Sequence, residues 1–99
     1  MDPANPELTI SDVVVSTKGR DQGKWFYVIA EEQNFLFLAN GKDRTLDKPK
    51  RKKRKRVQKV LRSETRVAQK LRSGDKVLNG ELRRDLAFLA RDASDNLGG

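Results

Sequence analysis

The run Lys48-Pro49-Lys50-Arg51-Lys52-Lys53-Arg54-Lys55-Arg56 places eight cations in nine residues, with no acid between them. No other feature constrains the chain as strongly. Residues 48–59, which add Lys59, carry +9 against +8 for the whole protein, so all other segments together net −1. Residues 1–16 hold three acids and no base, residues 17–47 balance five of each sign, and residues 60–99 hold eight bases against six acids. Charge packed this densely repels itself. A polyanion relieves the repulsion best, because each neutralised phosphate releases condensed counterions. The tract also divides an apolar-rich N-terminal half from a C-terminal third with helical periodicity.

The remaining composition excludes several function classes. The length of 99 residues suits one small domain, or a very small one with an appendage. Cysteine is absent, so there are no disulfides or thiolate metal sites. Histidine is absent too, which removes the usual general base and the commonest metal ligand. The fourteen acids are scattered rather than clustered as a carboxylate metal site needs. No enzyme activity, cofactor, metal or small-molecule substrate is expected. No apolar run approaches a membrane span, and Met1-Asp2-Pro3-Ala4-Asn5-Pro6 lacks the basic and apolar regions of a signal peptide. The expectation is a soluble cytoplasmic protein with no membrane partner.

Before the tract, the pattern is that of strands. Leu8 to Ser16 is rich in β-branched residues, Lys24 to Ala30 joins three aromatics to Val28 and Ile29, and Phe35 to Ala39 is a short apolar run. Thr17 to Gly23 and Glu31 to Asn34 are polar turns. Asn40-Gly41 predicts a type I′ hairpin turn, with Lys42 to Leu46 returning as a further strand. Four or five strands in so few residues predict a small curled sheet or barrel, with closure expected to remove its edges.

After the tract, the period changes. Val60, Val67 and Leu71 fall on one helical stripe, with Ser63 as N-cap, Glu64 beside it and Gly74 as the stop. A second helix is predicted from Asn79 as N-cap, with Glu81 in its first turn. Leu82, Leu86 and Leu89 form its apolar stripe, Phe88 widens it, and it dies out from Ala93 onward. Neither helix is long enough to stand alone, so both must pack on something.

The most specific local signal is Val13-Val14-Val15-Ser16-Thr17-Lys18-Gly19-Arg20-Asp21-Gln22-Gly23-Lys24-Trp25-Phe26-Tyr27-Val28-Ile29. Gly19 and Gly23 let the backbone turn sharply and approach a phosphate or base, and Lys18, Arg20 and Lys24 flank that turn. The segment resembles a KOW motif: a strand, a basic glycine-containing loop closing in Gly-Lys, and a second apolar strand. It departs at Ser11, where a glycine is common, and at Phe26, which occupies the glycine position two after Gly-Lys and is expected to pack inward. Together with Asn40-Gly41-Lys42 and the Lys-Pro-Lys tract, residues 9–56 resemble small bacterial KOW-domain RNA-binding proteins. These are similar to the barrels of certain large-subunit ribosomal proteins of archaea and eukaryotes. In that family the basic tract commonly ends in histidine, where this chain has Arg56-Val57.

The resemblance implies a mainly β N-terminal domain, a small SH3-like KOW barrel over residues 8–47. A disordered segment (1–7) precedes it; a basic arm (48–59) and a helical extension (60–99) follow. It implies non-catalytic binding of structured RNA, ribosomal RNA foremost, with ribosomal proteins as further partners. The expected contact residues are Lys18, Gly19, Arg20, Gly23 and Lys24 in the loop, Lys42 and Arg44 after the turn, and Lys48, Lys50, Arg51, Lys52, Lys53, Arg54, Lys55 and Arg56 in the tract. Alternation sets Phe26 and Val28 against Trp25, Tyr27 and Ile29. Trp25 and Tyr27 either stack on unpaired bases or pack against the helices. Two other readings stay open: an adaptor binding an acidic protein, and a KOW-type transcription elongation factor.

Overall fold

Phe26 and Tyr27 are adjacent and both fully buried, although side chains of successive strand residues point to opposite faces. A strand of this kind must lie in a sheet covered on both sides. The computed structural model describes residues 8–98, with side chains as far as Ser94, and shows such a sheet. The expectation of a disordered segment at 1–7 lies outside the described residues.

The elements in order are β1 (Asp12–Ser16), β2 (Trp25–Glu31), β3 (Phe35–Ala39), β4 (Lys50–Lys53), a 3-10 turn (Arg54–Arg56), β5 (Val57–Arg62), α1 (Arg66–Ser73) and α2 (Asn79–Gly98). The strands form one antiparallel sheet in the order β4-β3-β2-β1-β5. On one face, Val14 of β1, Phe26 and Val28 of β2, and Leu36 and Leu38 of β3 meet Leu8 and Val57 in a core. On the other, Val13, Tyr27 and Ala39 pack beneath Val67 and Ala68 of α1 and Leu82, Leu86 and Leu89 of α2. Burial of a large apolar side chain contributes about 1.5–3 kcal/mol. A sheet with two such faces therefore stabilises a chain this short far better than one wet on one side.

Phe26 packs inward, as its place in the motif implied. Tyr27 belongs to the helix-covered face, and Trp25 is half-buried against the same cluster. Tyr27, fully buried, is committed to packing, and Trp25 packs in part on the same cluster. The Tyr27 hydroxyl donates to Asp85 Oδ2 and shares a 2.7 Å hydrogen bond with Ser63 Oγ, and Thr65 Oγ1 donates to the same carboxylate oxygen at 2.9 Å. Burial and the Asp85 hydrogen bond push the phenol up to about 12.

Several expectations are corrected. The tract is not an arm. It supplies β4 and the 3-10 turn, pairing with β3 in the register Leu36↔Lys52 and Leu38↔Lys50. The predicted strand at Lys42 to Leu46 is instead a bend followed by an isolated Thr45↔Lys48 bridge. Of Asn40 and Gly41 only Gly41 has positive φ, so the turn is not type I′; Asn40 Oδ1 instead accepts from the N–H groups of Lys42 and Arg44. The sheet does not close, because β4 and β5 remain its two edges. The lysine-rich β4 edge is protected from stray pairing by its charge.

The helix boundaries also move. Thr65, not Ser63, caps α1 by accepting from Ala68 N–H, while Ser63 is buried against Tyr27. Gly74 ends α1 in the left-handed conformation, as expected. Val60 belongs to β5, so it is no part of the α1 stripe. Asn79 spends its side chain on Leu46 N–H at 2.8 Å, and Glu81 reaches back to Leu78 N–H to close the start of α2. Phe88 stands outside the buried stripe, 59% exposed, and α2 continues to Gly98. Among the described residues, no helix is long and apolar enough to cross a membrane.

Candidate nucleic-acid interface

Two residues of the tract are largely withdrawn from the surface. Lys52 is 7% exposed, and its ammonium donates to Asp21 Oδ1 and to Lys18 O, both at 2.7 Å. Arg54 is 8% exposed. Its guanidinium donates to the carbonyls of Leu8 (2.7 Å), Glu32 (2.8 Å) and Gln33 (3.0 Å), and it faces the Glu31 carboxylate. These side chains act as internal fasteners: Lys52 ties β4 to the β1–β2 loop, and Arg54 ties the 3-10 turn to the β2–β3 turn and to Leu8. A strand of alternating in-and-out residues explains it, since Lys52 falls on the inward register beside Leu36.

The fastener sets the geometry of the loop. Ser16 N–H donates to Lys24 O, and Gly23 N–H returns to Ser16 O at 2.8 Å. Gly19 and Gly23 hold φ of 91° and 88°, the left-handed region that favours glycine. Ser16 Oγ donates to Asp21 Oδ1 at 2.8 Å. Burial pushes the Asp21 carboxyl up, but hydrogen bonds from Lys52 and Ser16, aided by the Lys52 charge, hold it below the ordinary aspartate value. Asp21 is the one acid within the basic loop, and it neutralises a tract lysine rather than weakening the outer surface.

With loop and tract fastened, their outward side chains share a groove of about 370 Å³. Lys18, Gly19 and Arg20 form its loop wall. Lys50, Arg51, Lys52, Lys53 and Arg56 form the tract wall, and Arg44 and Phe35 complete it. Eight cationic residues against one carboxylate, Asp21, give it a strongly positive lining. Among the described residues, Lys18, Arg20, Arg44, Lys50, Lys53 and Arg56 form no ion pair, so their charge faces solvent uncompensated. Arg51 pairs with Glu32 at 3.1 Å and lies over the Phe35 ring, 3.6 Å from its centroid.

The other predicted contact residues lie outside the groove. Lys24 pairs with Asp43 at 3.1 Å; Gly23 closes the loop; Lys42 and Lys48 are exposed around the β3–β4 connection; Lys55 is exposed and lines a second cavity with Lys53, and Arg54 is buried. Two residues of the site were not foreseen. Asp21 was legible as the lone acid in a cationic loop, and Phe35 as an aromatic opening a strand directly after a polar turn. Among the described residues there is no cluster of three acids able to hold a metal ion. Compared with protein-family models and with curated proteins, the sequence matches none.

Proposed function

We propose that this chain is a non-catalytic, cytoplasmic RNA-binding protein of KOW type, grasping the phosphate backbone of structured RNA such as ribosomal RNA. The observation that carries the proposal is the convergence of the β1–β2 loop and the tract on one cationic groove. Residues more than thirty positions apart, such as Arg20 and Lys53, line the same cavity. An SH3-like barrel is the finer fold reading. It is supported by four strands, β1 to β4, in meander order, with β5 returned beside β1 directly after a 3-10 turn. RNA rather than DNA, and the ribosome rather than another particle, follow from the KOW resemblance. Lysine and arginine on phosphates position a protein without reading sequence, so little base-pair specificity is expected.

The test is a salt titration of binding to a structured RNA. Six uncompensated groove cations, each neutralising one phosphate, give a slope of log affinity against log salt of roughly −4 to −5. A slope near −1, or affinity unchanged when Lys50, Lys53 and Arg56 are all replaced by glutamine, overturns the proposal. Sedimentation of a tagged copy through a sucrose gradient, with and without ribonuclease, tests the ribosomal assignment. Partners retained after ribonuclease identify a protein adaptor instead.

A further inference from the structure

A second cavity, of about 440 Å³, adjoins the groove and shares Phe35 and Lys53 with it. Asn34, Arg54 and Lys55 complete its lining. Its size falls in the range of roughly 300–1,000 Å³ typical of small-molecule sites. Its chemistry differs from that of the groove. Phe35 is a half-buried aromatic opening β3, kept out of both hydrophobic cores and overlain on one side by the Arg51 guanidinium. The Asn34 carboxamide forms no hydrogen bond among the described residues, because only the Asn34 main-chain oxygen is used, by Arg54 N–H. An aromatic ring, an uncommitted carboxamide and flanking lysines form a set of groups that accepts a planar, hydrogen-bonding heterocycle whose neighbours are anionic.

We infer that this cavity receives the base of an unpaired nucleotide while the flanking phosphates lie in the adjoining groove. The preferred ligand is therefore RNA with a bulged or looped-out residue rather than a continuous duplex. The inference rests on the RNA-binding proposal and deepens it. Phe35 offers the stacking surface, Asn34 the edge contact, and Lys53, lining both cavities, the charge that spans base and backbone. Stacking of one base on an aromatic side chain is worth roughly five- to 150-fold in affinity.

The experiment compares two RNA hairpins, identical except that one carries a single bulged nucleotide, by fluorescence anisotropy at fixed salt. The wild-type protein is expected to prefer the bulged hairpin at least fivefold. Phe35→Leu, which keeps apolar bulk, should abolish that preference, and an unchanged far-ultraviolet circular dichroism spectrum and urea midpoint show the variant to be folded. Asn34→Ala, at an exposed turn, should reduce the preference by several-fold. Equal binding of both hairpins by wild type overturns the base pocket and leaves backbone binding standing. A preference that survives Phe35→Leu overturns the assignment to this cavity. Binding of neither hairpin overturns the RNA proposal and the pocket with it.

Discussion

Lys52 Nζ lies 2.7 Å from Asp21 Oδ1, joining the centre of the cationic tract to the tip of the β1–β2 loop across thirty-one residues. Both side chains are largely withdrawn from water, at 7% and 14% exposure. Removing one partner of such a pair leaves the other charge buried and uncompensated. Lys52→Met or Asp21→Leu alone is expected to cost about 3 kcal/mol, and the double replacement substantially less than the sum. Urea unfolding of the four proteins checks this.

The same pair predicts an acid limb. The folded-state pKa of Asp21 lies below its ordinary value of 3.8, so the folded protein favours the ionised form. The resulting stability is complete above that ordinary value and is lost as pH falls through the lower, folded one. Glu31, held low chiefly by the Thr9 hydroxyl and further by Ile10 N–H and Arg54 against its burial, acts in the same direction. Unfolding midpoints should be level near neutrality and fall below about pH 4, with a shallower fall in the Lys52→Met, Asp21→Leu double variant.

Neighbouring cations of the tract should separate into two classes. Lys53→Gln and Lys55→Gln change exposed side chains and should shift stability by no more than about 0.5 kcal/mol. Arg54→Gln removes the donor of several carbonyl hydrogen bonds and should cost about 3 kcal/mol. Arg54→Lys should recover little, because an ammonium cannot reproduce the planar fork. RNA binding should show the reverse order for Lys53 and its groove neighbours: each glutamine replacement lowers the salt slope by about 1.

Gly41 isolates the contact between the sheet and α2. A Cβ there would collide with Asn79 O and lie 3.1 Å from Arg83 N, on a backbone with φ of +79°. Gly23 has φ of +88° but nothing within 4 Å of a Cβ. Gly23→Ala should therefore cost only the left-handed backbone strain, about 1–2 kcal/mol, and Gly41→Ala clearly more. Displacement of α2 in Gly41→Ala should also change the emission of Trp25, the single tryptophan, which packs on the helix-covered cluster.

Tyr27 is the single tyrosine, so its titration is readable by near-ultraviolet absorbance. The folded phenol should ionise near pH 12 rather than 10.0. Because the folded value is raised, the stability it contributes is intact below pH 10 and lost as pH climbs toward 12. In denaturant the transition should return to the ordinary value. Asp85→Asn should lower the folded value only in part, since burial, the largest cause, remains.

The alternation of β2, the bounds of β3, the glycine-bracketed loop and the buried Leu82, Leu86 and Leu89 stripe were all legible in the chain, because each is a local pattern read by period or by φ preference. The roles of the tract's cations were not. By composition Lys52 and Lys53 are the same residue, and only pairing with β3 turns one toward Asp21 and the other toward solvent. The N-caps shifted for a related reason: Ser63 and Asn79 are good local caps, but Tyr27 and Leu46 claim their side chains first. Local sequence determined that there would be a concentrated positive charge and a hinged loop. Tertiary structure decided which charges became internal ties and which stayed outside, because burying a cation is tolerable only where the fold brings it a carboxylate or carbonyls.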